Sequence, residues 1–323
     1  MANNIQTTYL NALRNREDLG NDIWNISPDD TWFLDNIGKT SAENSLHEWL
    51  HDKLPTPSLT NAALEGVDAV TQAQSQVTRI GNYTQNLQKV FAVSDAQKTS
   101  DEAAMTELAR LTYNNSKAIK LDMEATLLER TSGGVGDGAS TPRTMKGAAG
   151  FLVTNALCGT GGSVVAGTSS TTFTNPTITA GTARPLTEDL LTQGMQEAFS
   201  KGGKVTTLLV SPLGKMTVSG FQERVQKFQD VASDSKTYHT AIDVYDSDFG
   251  AISIVPSIVL SQVNSTNAYG LDIKQFALAE KQSVGLEKLA RTGTYDKYMI
   301  NWEATLEVRA EEGSFIIRDL SGY

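Results

Sequence analysis

The sequence predicts a mixed α+β fold, and three stretches of the chain lead to this prediction. Residues 95–130 contain no Gly or Pro and repeat apolar side chains at helical spacing. Residues 44–93 form two strand-like limbs around a polar tip, and residues 186–320 mix short helical and strand patterns. We therefore expect a long hairpin, a long helix and a mixed body, in that order along the chain.

The composition indicates a folded protein that is not stabilised by internal disulfides and whose main task is not to bind nucleic acid. The 323 residues include 27 Lys and Arg, 37 Asp and Glu, and a single cysteine, Cys158. Nucleic-acid binding needs clustered cations, so a formal net charge of −10 argues against it. Residues 1–18 show no secretory signal, and no stretch approaches the ~18 apolar residues of a membrane span. We expect a cytosol-like location and no membrane partner.

Residues 1–43 are interpreted as an N-terminal arm. Three of the four tryptophans, Trp24, Trp32 and Trp49, lie within the first 60 residues, which lack a sustained periodicity. Because a Trp exposed in a free tail is costly, we expect the aromatic side chains to be buried against another subunit. A small helical cap on the same chain is the alternative.

Residues 44–93 predict a long projecting hairpin. The second limb, residues 76–93, is rich in β-branched and amide side chains. Between the limbs, the tip at residues 56–74 has few side chains with which to build a core of its own. A hairpin that is ordered by neighbouring molecules fits this pattern better than a compact subdomain does.

The helical pattern of residues 95–130 predicts one continuous spine helix. Thr99 and Glu102 have the spacing of a capping box at its start, and Gly133 and Gly134 are expected to end it. The following stretch, residues 147–183, contains no charged residue and is rich in Gly, Ser and Thr. Its composition leaves a flexible loop and a packed β-rich stretch as open alternatives.

The C-terminal half predicts regular elements of both kinds. Helices are expected at 186–200, after Pro185, and at 212–230. Strands are expected at 205–210, 251–260, 271–278, 282–289, 298–308 and 314–320.

Residues 47–51, His-Glu-Trp-Leu-His, match the H-E-x-x-H pattern of zinc hydrolases. In that pattern His47 and His51 would bind zinc one helical turn apart, and Glu48 would polarise the metal-bound water. The pattern needs a stable helix and a third ligand, whereas Pro55 and Pro57 follow closely. We therefore prefer a surface or interface turn anchored by Trp49.

Other candidate sites are weaker still. Asp243, Asp246 and Asp248 lack the distal Glu of a calcium loop, and we interpret them as a solvated turn before a strand. The glycine-rich stretches 133–138 and 159–162 lack the G-K-[ST] of a phosphate loop. The sequence therefore predicts no catalytic residue, no cofactor and no metal.

Several motifs together resemble the major capsid proteins of tailed bacteriophages that share the Hong Kong 97 fold. They are SLHEWLHDKL (45–54), RIGNYTQ (79–85), VFAVS (90–94), SPLGK (211–215), VYDSDFG (244–250), LEKLARTG (286–293) and WEATLEVR (302–309). The resemblance covers most of the chain from about residue 44 onward. It also accounts for residues 47–51 without a metal, because they fall in the first limb of that family's extended loop.

The resemblance implies a division of the chain into five segments. These are the N-terminal arm (1–43), the extended loop (44–93), the spine helix with the start of a peripheral domain (94–185), an axial domain (186–262) and a return to the peripheral domain (263–323). It implies a structural protein and not an enzyme. Hexamers and pentamers of such a protein form an icosahedral shell around double-stranded DNA, assembled in the host cytoplasm and retained in the virion.

The arm and the loop are then expected to lie across neighbouring subunits, with Trp24, Trp32, Trp49, Arg79 and Tyr83 as contact candidates. Portal, scaffold or decoration proteins are possible further partners, and DNA is expected nearby without specific binding. Two rival interpretations are a zinc hydrolase and a tail or decoration protein of the virion.

Overall fold

Two β-sheets and one long helix share a continuous apolar interior. The computed structural model describes residues 31–62, 65–66, 68, 77–99, 106–167, 174–221 and 244–321. Within these residues the helices are α1 (Trp32–Asn36), α2 (Asp95–Lys98), α3 (Glu107–Glu129), α4 (Ala148–Phe151), α5 (Glu188–Ser200), α6 (Pro212–Ser219) and α7 (Ile258–Val263). Short 3-10 helices cover Ile273–Gln275 and Glu311–Gly313.

The strands of the described residues follow the same chain order. They are β1 (Gly38–Ser41), β2 (Leu46–His51), β3 (Thr78–Tyr83), β4 (Gln85–Ser94), β5 (Ala156–Leu157), β6 (Ser163–Val165), β7 (Thr177–Thr179), β8 (Thr207–Val210), β9 (Val244–Ser247), β10 (Gly250–Pro256), β11 (Ala268–Leu271), β12 (Phe276–Lys288), β13 (Tyr295–Val308) and β14 (Phe315–Ile317).

The larger sheet has six strands in the order β5-β14-β11-β8-β10-β9, and its central strands are buried on both faces. On β8, Leu208 and Val210 pack with α5, whereas Leu209 packs with Tyr269 into the core around α3. Strands that are covered on both faces have continuous apolar runs in their sequence, which explains why the pattern of residues 205–210 predicted a buried strand.

The smaller sheet has four strands in the order β1-β12-β13-β4 and packs against α3. β12 and β13 form a long antiparallel hairpin, β4 pairs with the outer side of β13, and β1 runs parallel to β12. The second limb predicted at 76–93 therefore divides at Thr84. Only β3 pairs with β2 in the projecting hairpin, and β4 belongs to the body.

The predicted spine helix is confirmed over α3, which ends within one residue of the predicted end at Arg130, and it is wrong at its start. Ser94 rather than Thr99 caps a helix start, since the Ser94 hydroxyl accepts a hydrogen bond from the Gln97 amide at 3.3 Å. That short helix, α2, ends at Thr99, and Glu102 lies outside the described residues. α3 then ends at Glu129, before the predicted glycine stop, because the amide of Gly147 satisfies the Arg130 carbonyl at 2.8 Å.

Three other boundaries also differ from the sequence prediction. The helix predicted at 212–230 has its C-cap at Gly220, whose amide bonds to the last carbonyls, and residues 222–230 lie outside the described residues. The strand predicted at 251–260 stops at Pro256, because Ser257 caps α7. The strand predicted at 271–278 is split by a 3-10 helix, and β12 continues through the predicted strand that followed, at 282–289.

The uncharged stretch 147–183 is partly core. All four residues of α4 are buried, and β5 adds an edge strand to the six-stranded sheet. β6 and β7 form a separate exposed hairpin. The predicted turn is confirmed at Asp248, in the link between β9 and β10, whereas Asp246 lies within β9 and Asp243 lies outside the described residues.

We predict that Gly270→Ala destabilises the subunit by about 3 kcal/mol, because overpacking a filled core costs ~1–3 kcal/mol. A Cβ at Gly270 would lie 2.1 Å from Cε1 of Phe315, whose ring is also held by Gly194 on α5. Urea unfolding of the unassembled subunit measures the loss. The matched control, Gly285→Ala on β12, has its nearest atom 4.0 Å away and should change stability by less than ~1 kcal/mol. Equal midpoints for the two variants would contradict this packing.

Candidate functional site

The projecting hairpin is formed by β2 and β3 and contains the candidate zinc motif. β2 pairs with β3 so that His47 lies opposite Asn82, Trp49 opposite Ile80 and His51 opposite Thr78. In a strand, side chains four residues apart are separated by ~13 Å, so His47 and His51 do not converge as they would on a helix. Nor do the described residues contain a group of three or more potential metal ligands. The zinc-hydrolase alternative is therefore wrong on geometric grounds.

Trp49 fastens the hairpin to the body of its own subunit. Its indole Nε1 donates a hydrogen bond to the Val308 carbonyl at 2.9 Å, and its ring lies 6.0 Å from that of Phe151 on α4. Trp49 therefore packs within its own chain, as the anchoring interpretation expected, but residues 47–51 form a paired strand and not the predicted turn. Its predicted contact with a second subunit stays a prediction.

Asn82 is a fully buried polar anchor that the sequence did not reveal. Its Nδ2 donates to the carbonyls of Lys146 at 2.8 Å and Leu306 at 2.9 Å, and its Oδ1 accepts from the Lys146 amide at 2.9 Å. One side chain thus joins β3, the segment before α4 and β13. A single Asn in a strand pattern gives no sequence signal for this role.

Acidic side chains on one face of β13 complete the attachment. Glu307 accepts hydrogen bonds from Thr40 at 3.1 Å, His47 at 3.2 Å and Arg309 at 2.9 Å. Burial alone would raise the pKa of Glu307, but these hydrogen bonds outweigh burial and the pKa is lowered. Its charged form is therefore favoured.

Glu303 has the corresponding role on the same face of β13, nearer the start of the strand. It accepts from Thr84 at 2.6 Å and from Lys281 at 3.1 Å, and it pairs with Arg143. Arg143 in turn donates to the Thr84 carbonyl at 2.6 Å. As with Glu307, burial alone would raise the pKa of Glu303, but the hydrogen bonds from Thr84 and Lys281 lower it. Hydrogen bonds to the Glu303 and Glu307 carboxylates thus hold both ends of the part of β13 that faces the hairpin.

The remaining contact candidates occupy different environments. Tyr83 is half-buried, and its carbonyl accepts from Thr305 at 2.9 Å. The Arg79 side chain is 61% exposed and lies 3.7 Å from Glu48. Trp32 is half-buried at the start of α1, and Trp24 lies outside the described residues.

The point where the described part of the arm begins is clamped to α3. The buried Glu124 carboxylate accepts from the amides of Phe33 at 3.0 Å and Leu34 at 2.7 Å. Amides in the first turn of a helix, here α1, have no acceptor within the helix, and an anion near them is favoured. The exit of the arm is therefore fixed in position.

The outer end of the hairpin contrasts with its anchored base. Large apolar side chains are exposed there: Leu50 by 71%, Leu54 by 95%, Leu59 by 105% and Val77 by 52%. Grouped exposed apolar side chains of this kind mark interaction surfaces. The arrangement is a rigidly mounted hairpin with an apolar end, suited to packing on another molecule.

A second charged cluster lies at the far end of the four-stranded sheet. Asp296 on β13 pairs with Lys98 and, at 2.9 Å, with Lys288, while Arg291 pairs with Asp95. The hydrogen bonds from Lys98 and Lys288 lower the pKa of Asp296 to about 2. The cluster ties α2 to the turn between β12 and β13.

The fold is that of a known class of proteins, the Hong Kong 97-like phage capsid subunits. A chain of Mycobacterium phage Bobi superposes with a TM-score of 0.64 at 10% identity, covering 98% of this chain and 99% of that one. The Cyanophage A-1(L) capsid asymmetric unit gives a TM-score of 0.63 at 12% identity, covering 98% and 100%. The sequence prediction of this fold is confirmed.

Sequence comparison gives the family. The model of the SU10 major capsid protein family matches residues 2–321. The major capsid protein of Escherichia phage Phieco32 is 24% identical over 330 residues, which cover 92% of both chains. The chain belongs to the SU10 major capsid protein family and is the major capsid protein of a tailed phage. It is thus a structural component of the virion capsid, and no described helix is long and apolar enough to cross a membrane.

We predict that Asn82→Ala destabilises the subunit by about 3 kcal/mol. The substitution removes three hydrogen bonds to the buried backbone of Lys146 and Leu306, and the loss of a partner costs a buried polar group ~1–3 kcal/mol. Urea unfolding and limited proteolysis at the hairpin measure the effect. Asn86→Ala, on an exposed position of β4, is the matched control and should cost less than ~0.5 kcal/mol. A hairpin equally protected in both variants would contradict the anchor.

We predict that Asp296→Asn makes the subunit's free energy of unfolding less sensitive to acid. The folded-state pKa of Asp296, about 2, lies below the ordinary value of 3.8, so its stabilisation is present above 3.8 and is lost as the pH falls towards 2. Chemical unfolding at a series of pH values should show a smaller loss over this interval in the variant. Replacing Lys98 and Lys288 with Met removes the donors and should have the same effect. Identical acid profiles for wild type and Asp296→Asn would exclude this contribution.

Proposed function

We propose that this protein forms an icosahedral shell of hexamers and pentamers in which each hairpin lies across a neighbouring subunit. The observation that carries the proposal is the contrast within the hairpin between a buried, hydrogen-bonded base and an exposed apolar end. A hairpin of two strands is marginal alone, so a neighbour's surface supplies the burial that its outer end lacks. Shell cohesion then comes from repeated noncovalent interfaces.

The N-terminal arm, residues 1–43, is the second element proposed to contact neighbouring subunits, although its described end, α1 and β1, packs on the body of its own subunit. The Glu124 clamp supports this because it fixes the place and direction at which the arm leaves the body. The segments 94–185 and 263–323 would form the peripheral domain, and 186–262 the axial domain near the capsomer centre. The six-stranded sheet also takes strands from 156–157 and 315–317, so the two domains share one interior.

The shell is proposed to enclose double-stranded DNA without binding it specifically. A net charge of −10 supports this, because a net acidic subunit repels phosphates and leaves packaged DNA free to move. Assembly would take place in the host cytoplasm, with portal, scaffold or decoration proteins as further partners. The role proposed is structural, with no catalytic step.

We predict that deleting residues 56–74 leaves a soluble subunit that forms shells poorly. The deletion removes the exposed Leu59 and the rest of the hairpin tip but none of the anchors at the base of the hairpin, so the subunit's unfolding midpoint should be unchanged. Negative-stain electron microscopy and sedimentation of the expressed protein measure assembly. Normal shells from the deletion variant would overturn the role given to the hairpin.

A further inference from the structure

A cleft of about 410 Å³ opens between the outer end of the hairpin and the body. Ile80 of β3, Phe151 of α4 and Val308 of β13 provide its apolar lining, and Thr78 lies at its edge. The attachment of Trp49 holds both walls in place, since the indole bonds to Val308 and packs near Phe151. The cleft is therefore a preformed apolar site, of the size that accepts one or two side chains.

The charged groups around the cleft are already paired within the subunit. Lys53 pairs with Glu312, and Arg309 lies 2.9 Å from Glu307. Glu311 accepts hydrogen bonds from the amides of Val153 and Thr154, both at 3.3 Å. An occupant therefore needs no countercharge, and a charged occupant would be desolvated without compensation. The chemistry favours an uncharged apolar segment.

Residues 54–59, Leu-Pro-Thr-Pro-Ser-Leu, have this chemistry. The segment is uncharged, and Leu54 and Leu59 are 95% and 105% exposed. Pro55 and Pro57 restrict the backbone to extended conformations, which lowers the entropy lost on binding. Proline-fixed segments of this kind dock against aromatic-lined grooves, and Phe151 supplies an aromatic wall.

Each subunit thus presents both an exposed apolar segment and an apolar cleft that this segment does not line. Leu54 follows His51 by only three residues, yet its side chain remains outside the subunit's own cleft. Complementary patches at different places on one chain generate head-to-tail contacts, and these close into rings when the rotation permits. We propose that residues 54–59 of one copy bind in the cleft of a second copy. This inference rests on the proposed inter-subunit role of the hairpin and names the surface that receives it.

Cross-linking between two different variants tests the contact. Ser58→Cys in one preparation and Thr78→Cys in another, both carrying Cys158→Ser, are mixed, assembled and treated with a short bismaleimide. Because each subunit has one cysteine, a link between residues 58 and 78 can form only between copies. We expect covalent dimers containing one chain of each kind, identified by mass spectrometry of the linked peptides. Ser58→Cys mixed with Val244→Cys, whose side chain is 60% exposed on β9, is the control and should give at least tenfold less dimer.

Shells that form without the link between residues 58 and 78, or with equal linking in the control, would overturn the cleft as the receiving site. Those outcomes would leave the general role of the hairpin standing. Normal shells from the 56–74 deletion would instead overturn that role itself. The two failures are therefore distinguishable.

Filling the cleft provides a second test. Thr78→Trp should place an indole in the cleft and raise the subunit concentration needed for assembly by about tenfold, a loss of ~1.4 kcal/mol per contact. The unfolding midpoint of the unassembled subunit should stay within error of the wild type. Thr177→Trp, on the exposed strand β7, is the matched control and should assemble normally. Assembly of Thr78→Trp at the wild-type concentration would exclude occupation of the cleft.

Discussion

The attachment of the projecting hairpin to β13 is the constraint on which the rest of the assembly surface depends. Side chains of β13 alternate, so that Trp302, Ala304, Leu306 and Val308 enter the core while Glu303, Thr305 and Glu307 face the hairpin and β1. One strand thereby joins the apolar interior to a row of buried or half-buried hydrogen bonds. Such bonds are expensive to leave unmade, so the hairpin has one favoured position before it meets a neighbour.

This attachment gives two parts of the chain different roles, namely a stable body and an outer hairpin that packs on another molecule. The body obtains its stability from the apolar interior shared by α3 and both sheets. The outer hairpin leaves its leucines in solvent and gains burial only from another molecule. A rigid base makes that second step less costly, because few degrees of freedom remain to be lost on association. Assembly can then be stabilised by modest contacts that are repeated around a ring.

Sequence reasoning succeeded where one pattern has one structural meaning. The apolar runs of the buried strands, the hairpin limbs and α3 were predictable because periodicity reports burial directly. Element ends were predicted less well, since competing signals occur within a few residues. Thr99 and Ser94 both suit a helix start, and only packing shows that Ser94 caps α2 while the main helix begins at Glu107. Asn82 was missed because its partners, Lys146 and Leu306, are 64 and 224 residues away.

The sequence by itself determined the α+β class, the capsid family resemblance and the acidic, disulfide-free character of the subunit, since these depend on composition and local pattern. Tertiary structure alone decided the meaning of residues 47–51. The same five letters would bind zinc on a helix, but pairing with β3 makes them a strand in which Trp49 reaches Val308 and His47 reaches Glu307. The physical reason is that these partners lie about 260 residues away in sequence, where no local pattern can indicate them.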